Sequence, residues 1–147
     1  TQGVTVGFNY FFAKKHSFNG NYSYNELTSG ENDPIIPAYN TPMHKFNAGF
    51  SGRGIITPFL SMGKWGYSVN YRWVEGFTFE GSPQFTGDID SYGLLNAQVN
   101  YSVPKWYTTI KIGASNALDN KVYQVYGGPR VGRMAYVSLV FDWNKVN

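Results

Sequence analysis

The sequence predicts an all-β protein, specifically an antiparallel transmembrane β-barrel with about seven strands in this chain. Only 14% of the 147 residues are charged and 18% are aromatic, whereas roughly a quarter are charged in an ordinary soluble domain. Seventeen glycines and seven prolines argue against a helical bundle, because both residues are unfavourable inside helices. Several segments alternate between apolar and polar residues over about 9–12 positions, the length with which a tilted strand crosses a bilayer. No stretch of about 18 consecutive apolar residues occurs, which excludes a transmembrane helix.

Seven segments carry this alternation, namely residues 4–12, 17–25, 43–51, 64–74, 95–103, 106–115 and 133–143. In the first, the apolar residues at even positions from Val4 to Phe12 alternate with Thr5, Gly7 and Asn9, and Phe11 is the exception. The second and third are weaker, and place Phe18, Tyr22, Tyr24, Phe46, Ala48 and Phe50 on their apolar sides. These three segments are still more regular than loops would be, so each is predicted to be a strand.

The remaining four segments show the same period of two. Residues 64–74 follow it without exception, since Trp65, Tyr67, Val69, Tyr71 and Trp73 alternate with Gly66, Ser68, Asn70 and Arg72. The next two carry Leu95, Ala97, Val99, Tyr101, Val103, Ile110, Ile112 and Ala114 on the apolar side. The last has Ala135, Val137, Leu139, Phe141 and Trp143, although Tyr136 and Val140 dilute its polar side.

The apolar side of these strands is predicted to contact lipid, and the ring-bearing residues near strand ends are predicted to lie at the headgroup level. The residues expected to face lipid are Val6, Phe8, Tyr67, Val69, Tyr71, Val99, Ile110, Ile112, Val137 and Leu139. The expected aromatic girdle is Phe12, Phe18, Trp65, Trp73, Tyr101, Trp106, Phe141 and Trp143. The polar side, rich in Asn, Ser, Thr, Gln and Gly, suits a hydrated lumen. There Arg72 and Lys111 would either pair with carboxylates of another domain or remain solvated.

The connections alternate in length, which gives a topology. Residues 13–16 and 104–105 are short turns, 52–63 is intermediate, and 27–42, 75–91 and 116–130 are long. Outer-membrane barrels keep short turns in the periplasm, so the chain is expected to start at the outer rim and end on the periplasmic side. Because complete bacterial barrels have an even strand number, seven strands indicate part of a larger barrel. A missed strand in residues 55–60 or 77–79 would instead give a small closed barrel of eight strands with a structural or adhesive role.

A family resemblance rests on three stretches. The segment ending at Trp143 contains IKIGASNALDNKVYQVYGGPRVGRMAYVSLVFDW, residues 36–42 read IPAYNTP before HKFN, and residues 70–73 read NYRW. These stretches resemble the closing strands of TonB-dependent outer-membrane receptors, especially those common in Bacteroidota. The resemblance covers nearly the whole chain. The last strand, with Phe141 and Trp143 at its end, resembles the aromatic-ended signal that the barrel assembly machinery reads, but only approximately, because four residues follow Trp143.

The resemblance implies that residues 1–147 are the C-terminal portion of a barrel of roughly 22 strands whose lumen holds a plug domain. Such receptors bind a scarce nutrient, for example a siderophore, glycan or peptide, and import it with energy from TonB. The plug and the TonB box are not among these residues. The implied partners are outer-membrane lipid, the rest of the barrel and its plug, TonB through the missing N-terminal part, and a surface lipoprotein. The implied location is the outer membrane of a Gram-negative bacterium.

No catalytic residue, metal site or cofactor is expected, and the protein is not expected to be an enzyme. His16 and His44 lie on separate segments without ligand spacing, and there is no cysteine. Asp88 and Asp90 could form an acid–base pair but are better explained as solvated loop carboxylates. The net charge of +3 comes from Lys and Arg scattered singly, so nucleic acid is not an expected partner.

The loop aromatics are the sharpest candidates for ligand contact, because exposed rings stack on sugars and chelators. They are Tyr39, Phe77, Phe79, Phe85, Tyr123 and Tyr126. Rings at such positions also pack loops together or extend the girdle, and that interpretation stays open. So does a soluble β-sandwich that binds carbohydrate through its aromatics.

Overall fold

The computed structural model describes residues 2–26, 40–58, 62–81 and 83–142. Its strands are β1 (Gln2–Phe12), β2 (His16–Glu26), β3 (His44–Ile55), β4 (Lys64–Val74), β5 (Phe77–Glu80), β6 (Thr86–Ile89), β7 (Tyr92–Val103), β8 (Thr108–Ser115), β9 (Val122–Tyr123), β10 (Arg130–Val131) and β11 (Met134–Phe141). Seven of them form one antiparallel sheet in the order β1-β2-β3-β4-β7-β8-β11. The all-β, antiparallel prediction is therefore confirmed, and each of the seven predicted segments corresponds to one strand of this sheet.

The sheet is open within the part of the chain that the structure describes. β1 and β11 each have one neighbouring strand and do not pair with each other. Residues 77–79 do form a strand, but it pairs with β6 in a separate two-stranded sheet. The closed barrel of eight strands that the sequence left open is therefore not formed by the described residues. A β-sandwich is not formed by them either, because the two further sheets have only two strands each.

The register carries the alternation of each strand across the whole sheet. In antiparallel pairing, opposed residues project from the same face: Val69 opposes Phe50 and Ala97, while Asn70 opposes Gly49 and Asn96. We call the face that carries Val69 the apolar face and the one that carries Asn70 the polar face. All ten residues expected to contact lipid project from the apolar face.

The apolar face is uncovered, and the buried core lies on the other side. Val137, Leu139 and Val6 expose 74%, 71% and 64% of their surface. The buried cluster consists of Val74, Ile89 and Tyr92, with Phe77, Phe79, Leu94 and Val122 packed against it. Because Val74 and Tyr92 oppose each other on the polar face, the β5–β6 hairpin folds over that face. Among the described residues there is no helix with the length and hydropathy needed to cross a membrane.

Several strand boundaries differ from the sequence prediction by a few residues, and two of these differences have a local cause. Trp106 was expected to begin a strand but lies in a 3-10 turn, Pro104–Trp106, and β8 starts at Thr108. The reason is Pro104, which lacks the N–H needed to continue the ladder, and the Tyr107 amide closes the turn by donating to the Pro104 carbonyl at 3.1 Å. β3 in turn runs past residue 51, because a bulge at residues 52–55 places Gly54 at φ +67° and allows pairing to resume at Ile55.

Candidate functional site

The centre of the apolar face consists of uncharged side chains, some small or aliphatic and some aromatic. One row across the sheet runs through Gly20, Ala48, Tyr71 and Leu95, and the next runs through Phe50, Val69 and Ala97.

 Leu95 is the residue that opposes Tyr71 in the first of these rows. Towards β11 the face continues through Ile112 and Val137, which also oppose each other. None of these side chains carries a charge, so this part of the surface is suited to an apolar environment.

Aromatic rings border the apolar face at the end where the short turns lie, and we call this group the turn-end belt. Phe12, His16, Phe50 and Tyr67 form a connected set, with ring centroids 5.5 Å apart for Phe12 and His16 and 5.4 Å apart for Phe50 and Tyr67. His16 Nδ1 and the Tyr67 hydroxyl lie 2.8 Å apart, within hydrogen-bond distance. Polar ring atoms thus find partners while the ring faces stay apolar.

A second group of rings, the loop-end belt, borders the opposite end of the face. Tyr24 and His44 have ring centroids 5.2 Å apart, and Phe46 and Trp73 have centroids 5.6 Å apart. The Tyr22 hydroxyl lies 2.5 Å from His44 Nδ1. The apolar face therefore has rings with polar atoms at both ends and uncharged, predominantly apolar side chains between them.

The residues of the predicted girdle fall mainly at one end. Phe12, Phe18, Trp65, Tyr101 and Phe141 project from the apolar face near the turns. Trp106 is exposed in the neighbouring 3-10 turn, Trp73 lies in the loop-end belt, and Trp143 lies outside the described residues.

Sequence reasoning missed both histidines as belt residues. It weighed His16 and His44 only as metal ligands, although each shares the parity of the apolar residues on its strand. That parity, two positions before Phe18 and Phe46, was the signal that could have placed them.

The polar face is joined by hydrogen bonds between neighbouring strands. Asn47 Nδ2 donates to Asn21 Oδ1 at 2.8 Å, and the Tyr136 hydroxyl donates to Gln98 Oε1 at 2.9 Å. Lys111 also projects from this face, because it opposes Asn100. A cavity of about 270 Å³ opens over its centre, lined in part by Ser68, Asn70, Asn96 and Gln98. This face has the polar lining that a water-filled space requires.

Two hairpins, β5–β6 and β9–β10, stand at the loop end. Phe77 and Phe79 pack against the buried cluster, as does Val122 at the start of β9. Phe85, Tyr123 and Tyr126 remain exposed. Of the six rings considered for ligand contact, two therefore pack against the buried cluster and three are exposed. Tyr39 lies outside the described residues.

The accessible rings still have neighbours within the protein. The Tyr126 ring lies over Gly87, since it occupies the space that a Cβ at that glycine would need. The Arg130 guanidinium lies 4.6 Å from the centroid of the Tyr123 ring. This arrangement brings the loop after β9 against the β5–β6 hairpin, and it leaves ring faces beside a cation at the surface.

The stretch SNALDN, which follows β8, forms a hydrogen-bonded corner. Asn116 is buried, and its Nδ2 donates to the carbonyls of Asn120 and Val131 at 2.9 and 3.1 Å, while its Oδ1 accepts the Asn120 amide at 3.0 Å. The Arg133 backbone amide donates to Asp119 Oδ1 at 2.8 Å. That hydrogen bond lowers the pKa of Asp119, and the charges of Lys121 and Arg133 lower it further. This segment therefore has a structural role in orienting the last loop.

Few groups in the described parts of the chain suggest catalysis. No cluster of three or more His, Cys, Asp or Glu residues that could hold a metal ion is found there. Asp88 accepts a hydrogen bond from the Thr78 hydroxyl at 2.7 Å, across the β5–β6 pair. Asp88 and Asp90 line a cavity of only about 110 Å³ together with Lys121 and Arg130.

Comparison with known proteins gives no family assignment. No protein-family model, no curated protein and no solved structure matches this chain.

Proposed function

We propose that this chain is a membrane-spanning wall of an outer-membrane β-barrel, with the apolar face against lipid and the polar face towards the lumen. One observation carries the proposal: an uncovered face whose centre is apolar and uncharged lies between two belts of rings, while the loop hairpins pack over the opposite face. In water, such a contiguous apolar surface would favour association or aggregation. In a bilayer, the uncharged apolar centre matches hydrocarbon and the rings match the two interfaces.

The strand dimensions support the same arrangement. β4 has 11 residues, which span roughly 33 Å at about 3.3 Å per residue. At a tilt of about 40° this corresponds to roughly 25 Å along the membrane normal, close to the height of the lipid-facing band of outer-membrane barrels. The belts lie near the two ends of this span.

The open edges support a barrel larger than this sheet. Backbone N–H and C=O groups must be paired within hydrocarbon, so a sheet in a membrane has to close. β1 and β11 each have only one neighbour among the described residues. We therefore propose that further strands complete the wall beside both edges.

At the level of the whole protein, we propose part of a TonB-dependent receptor that imports a scarce nutrient. The likeness of the closing strands to that family, the polar face and the hairpins folded over it support this proposal. The wall would then enclose a plug, lipid would cover its outside, and TonB and a surface lipoprotein would act through other parts of the receptor. The exposed rings Phe85, Tyr123 and Tyr126 are the candidates for first contact with the nutrient.

Quenching by brominated lipids tests the membrane arrangement. In a background with all four tryptophans changed to Phe, Val69→Trp and Asn70→Trp place a single tryptophan at one depth on opposite faces. We expect lipids brominated near the bilayer centre to quench Trp at position 69 strongly and Trp at position 70 weakly. Equal quenching, or stronger quenching at position 70, would contradict the proposed facing.

The intact mass of the native protein tests the larger barrel. These residues have a mass of 16.5 kDa, and we expect the polypeptide extracted from outer membranes to be much heavier. A native mass of that value would refute the receptor and leave a small sheet-forming protein.

A further inference from the structure

A cationic cleft lies at the turn end, between the β1–β2 turn and the bulge of β3. It has a volume of about 520 Å³, and its lining includes Lys14, Lys15, Arg53, His16 and Tyr67. None of the described residues that line it is acidic. Three cations without a carboxylate beside them favour an anionic ligand, and Arg in particular forms paired hydrogen bonds with phosphate oxygens.

The backbone holds these cations in fixed relation to one another. The Arg53 amide donates to the Lys15 carbonyl at 3.0 Å, which joins the turn to the bulge. Ala13 and Lys14 have φ values of 48° and 56°, a left-handed conformation that Asn and Gly adopt far more readily. Two residues with a Cβ in this conformation are the kind of local strain that accompanies binding sites.

The cleft also adjoins the turn-end belt, so three layers follow one another along the sheet. The uncharged side chains of the centre are followed by the rings of Phe12, His16, Phe50 and Tyr67, and these by the cations of the cleft. A phospholipid leaflet has the same order of acyl chains, interfacial region and phosphate. The hydrogen bond between His16 and Tyr67 lies at the boundary, because both residues project from the apolar face and also line the cleft.

Cations also outnumber carboxylates at the turn end of the sheet as a whole. Cations at the turn end are Lys14, Lys15, Arg53, Lys64 and Lys105, and Asp142 is the one carboxylate of the described residues there. The other described carboxylates lie at the loop end, namely Glu26, Glu75, Glu80, Asp88, Asp90 and Asp119. The loop end also carries the cations Lys45, Lys121, Arg130 and Arg133, so only the turn end has an excess of cations over carboxylates among the described residues.

We propose that the cleft binds the phosphate of an anionic glycerophospholipid in the leaflet at the turn end. Lys14, Lys15 and Arg53 contact the phosphate oxygens, and the acyl chains lie along the rings of the turn-end belt. This proposal rests on the proposed membrane location and adds a specific lipid site to it.

Trp65 provides the readout, because it lies at the same end of the apolar face, where its ring centroid is 4.6 Å from that of Tyr101. The protein, with Trp65 as its single tryptophan, is placed in phosphatidylcholine bilayers, and brominated phosphatidylglycerol is titrated in. Quenching gives the association constant of phosphatidylglycerol relative to brominated phosphatidylcholine. We compare Lys14→Gln/Arg53→Gln with the matched control Lys64→Gln/Lys105→Gln, which removes equal charge from the same end outside the cleft.

We expect the cleft variant to lower this relative constant by about fivefold for each charge removed, and the control to lower it clearly less. Equal losses in both variants, or no preference for phosphatidylglycerol in the parent protein, would overturn the lipid site. Displacement of phosphatidylglycerol by millimolar inorganic phosphate would show a site for free phosphate and would also overturn it. Strong quenching of Trp65 by brominated phosphatidylcholine in every variant would support the membrane location independently of the lipid site. If brominated phosphatidylcholine did not quench Trp65 in the parent protein, the proposed function itself would be refuted.

Discussion

A charge placed at Val69 is expected to destabilise the protein in a bilayer far more than the same charge one residue later. Val69 is the central residue of β4, so it lies about 13 Å from either end of a span of roughly 25 Å. Val69→Arg should lower the free energy of unfolding by about 2–4 kcal/mol, the cost of a guanidinium at the bilayer midplane. This corresponds to a change of about 30-fold to 1,000-fold in the folding equilibrium.

The matched control is Asn70→Arg, at the same depth on the polar face. The cavity of about 270 Å³ beside Asn70 leaves room for the longer side chain and for water around its charge. We expect this variant to change the free energy of unfolding by less than about 1 kcal/mol. Equilibrium unfolding of the protein in phospholipid vesicles, followed by tryptophan fluorescence at equal denaturant slope, measures both values. If Asn70→Arg proved as costly as Val69→Arg, the two faces would be wrongly assigned.

Three further predictions concern the loop corner and the polar face. Asn116→Ala should cost about 2–3 kcal/mol, because it leaves the Asn120 amide and the Val131 carbonyl without their partner, and unchanged hydrogen exchange at the Asn120 amide would contradict this. Because the pKa of the Asp119 carboxyl is lowered in the folded protein, this carboxylate should stabilise the fold fully above pH 3.8, the ordinary pKa, and lose that effect as the pH falls through the folded-state pKa. An NMR titration that gave a pKa of 3.8 or more would refute this prediction, and Asp119→Asn should remove the acid dependence. Gly113→Val should destabilise by about 1–3 kcal/mol, since a Cβ there lies 2.5 Å from the Tyr136 ring, and the cost should shrink in a Tyr136→Ala background if that contact is the cause.

The main sheet could be predicted because each strand is long enough to repeat its pattern. Residues 64–74 match β4 at both ends, since five apolar residues alternate there with small and polar ones. The end of β7 at Val103 also follows from the sequence, because Pro104 cannot continue a ladder. The two faces of the sheet follow from the same alternation once the strands pair in order.

The loops could not be predicted in the same way. β9 and β10 have two residues each, too few for any period to be read, and β5 and β6 have four. The role of Asn116 depends on groups up to 20 residues away along the chain, such as Asn96. The cationic cleft likewise joins Lys14 to Arg53, and only the register of β2 with β3 brings those positions together.

The β5–β6 hairpin has its stem in the buried cluster and its tip outside that cluster. Phe77 and Ile89 lie in the stem, whereas towards the tip Glu80 is hydrogen-bonded to Asn40 and the Gly81 amide donates to the Phe85 carbonyl at 3.2 Å. An epitope tag inserted between Gly81 and Phe85 should therefore leave the wall intact. If the loop end faces outwards, antibodies would detect such a tag on whole cells, and the hairpin would serve as a position for surface display.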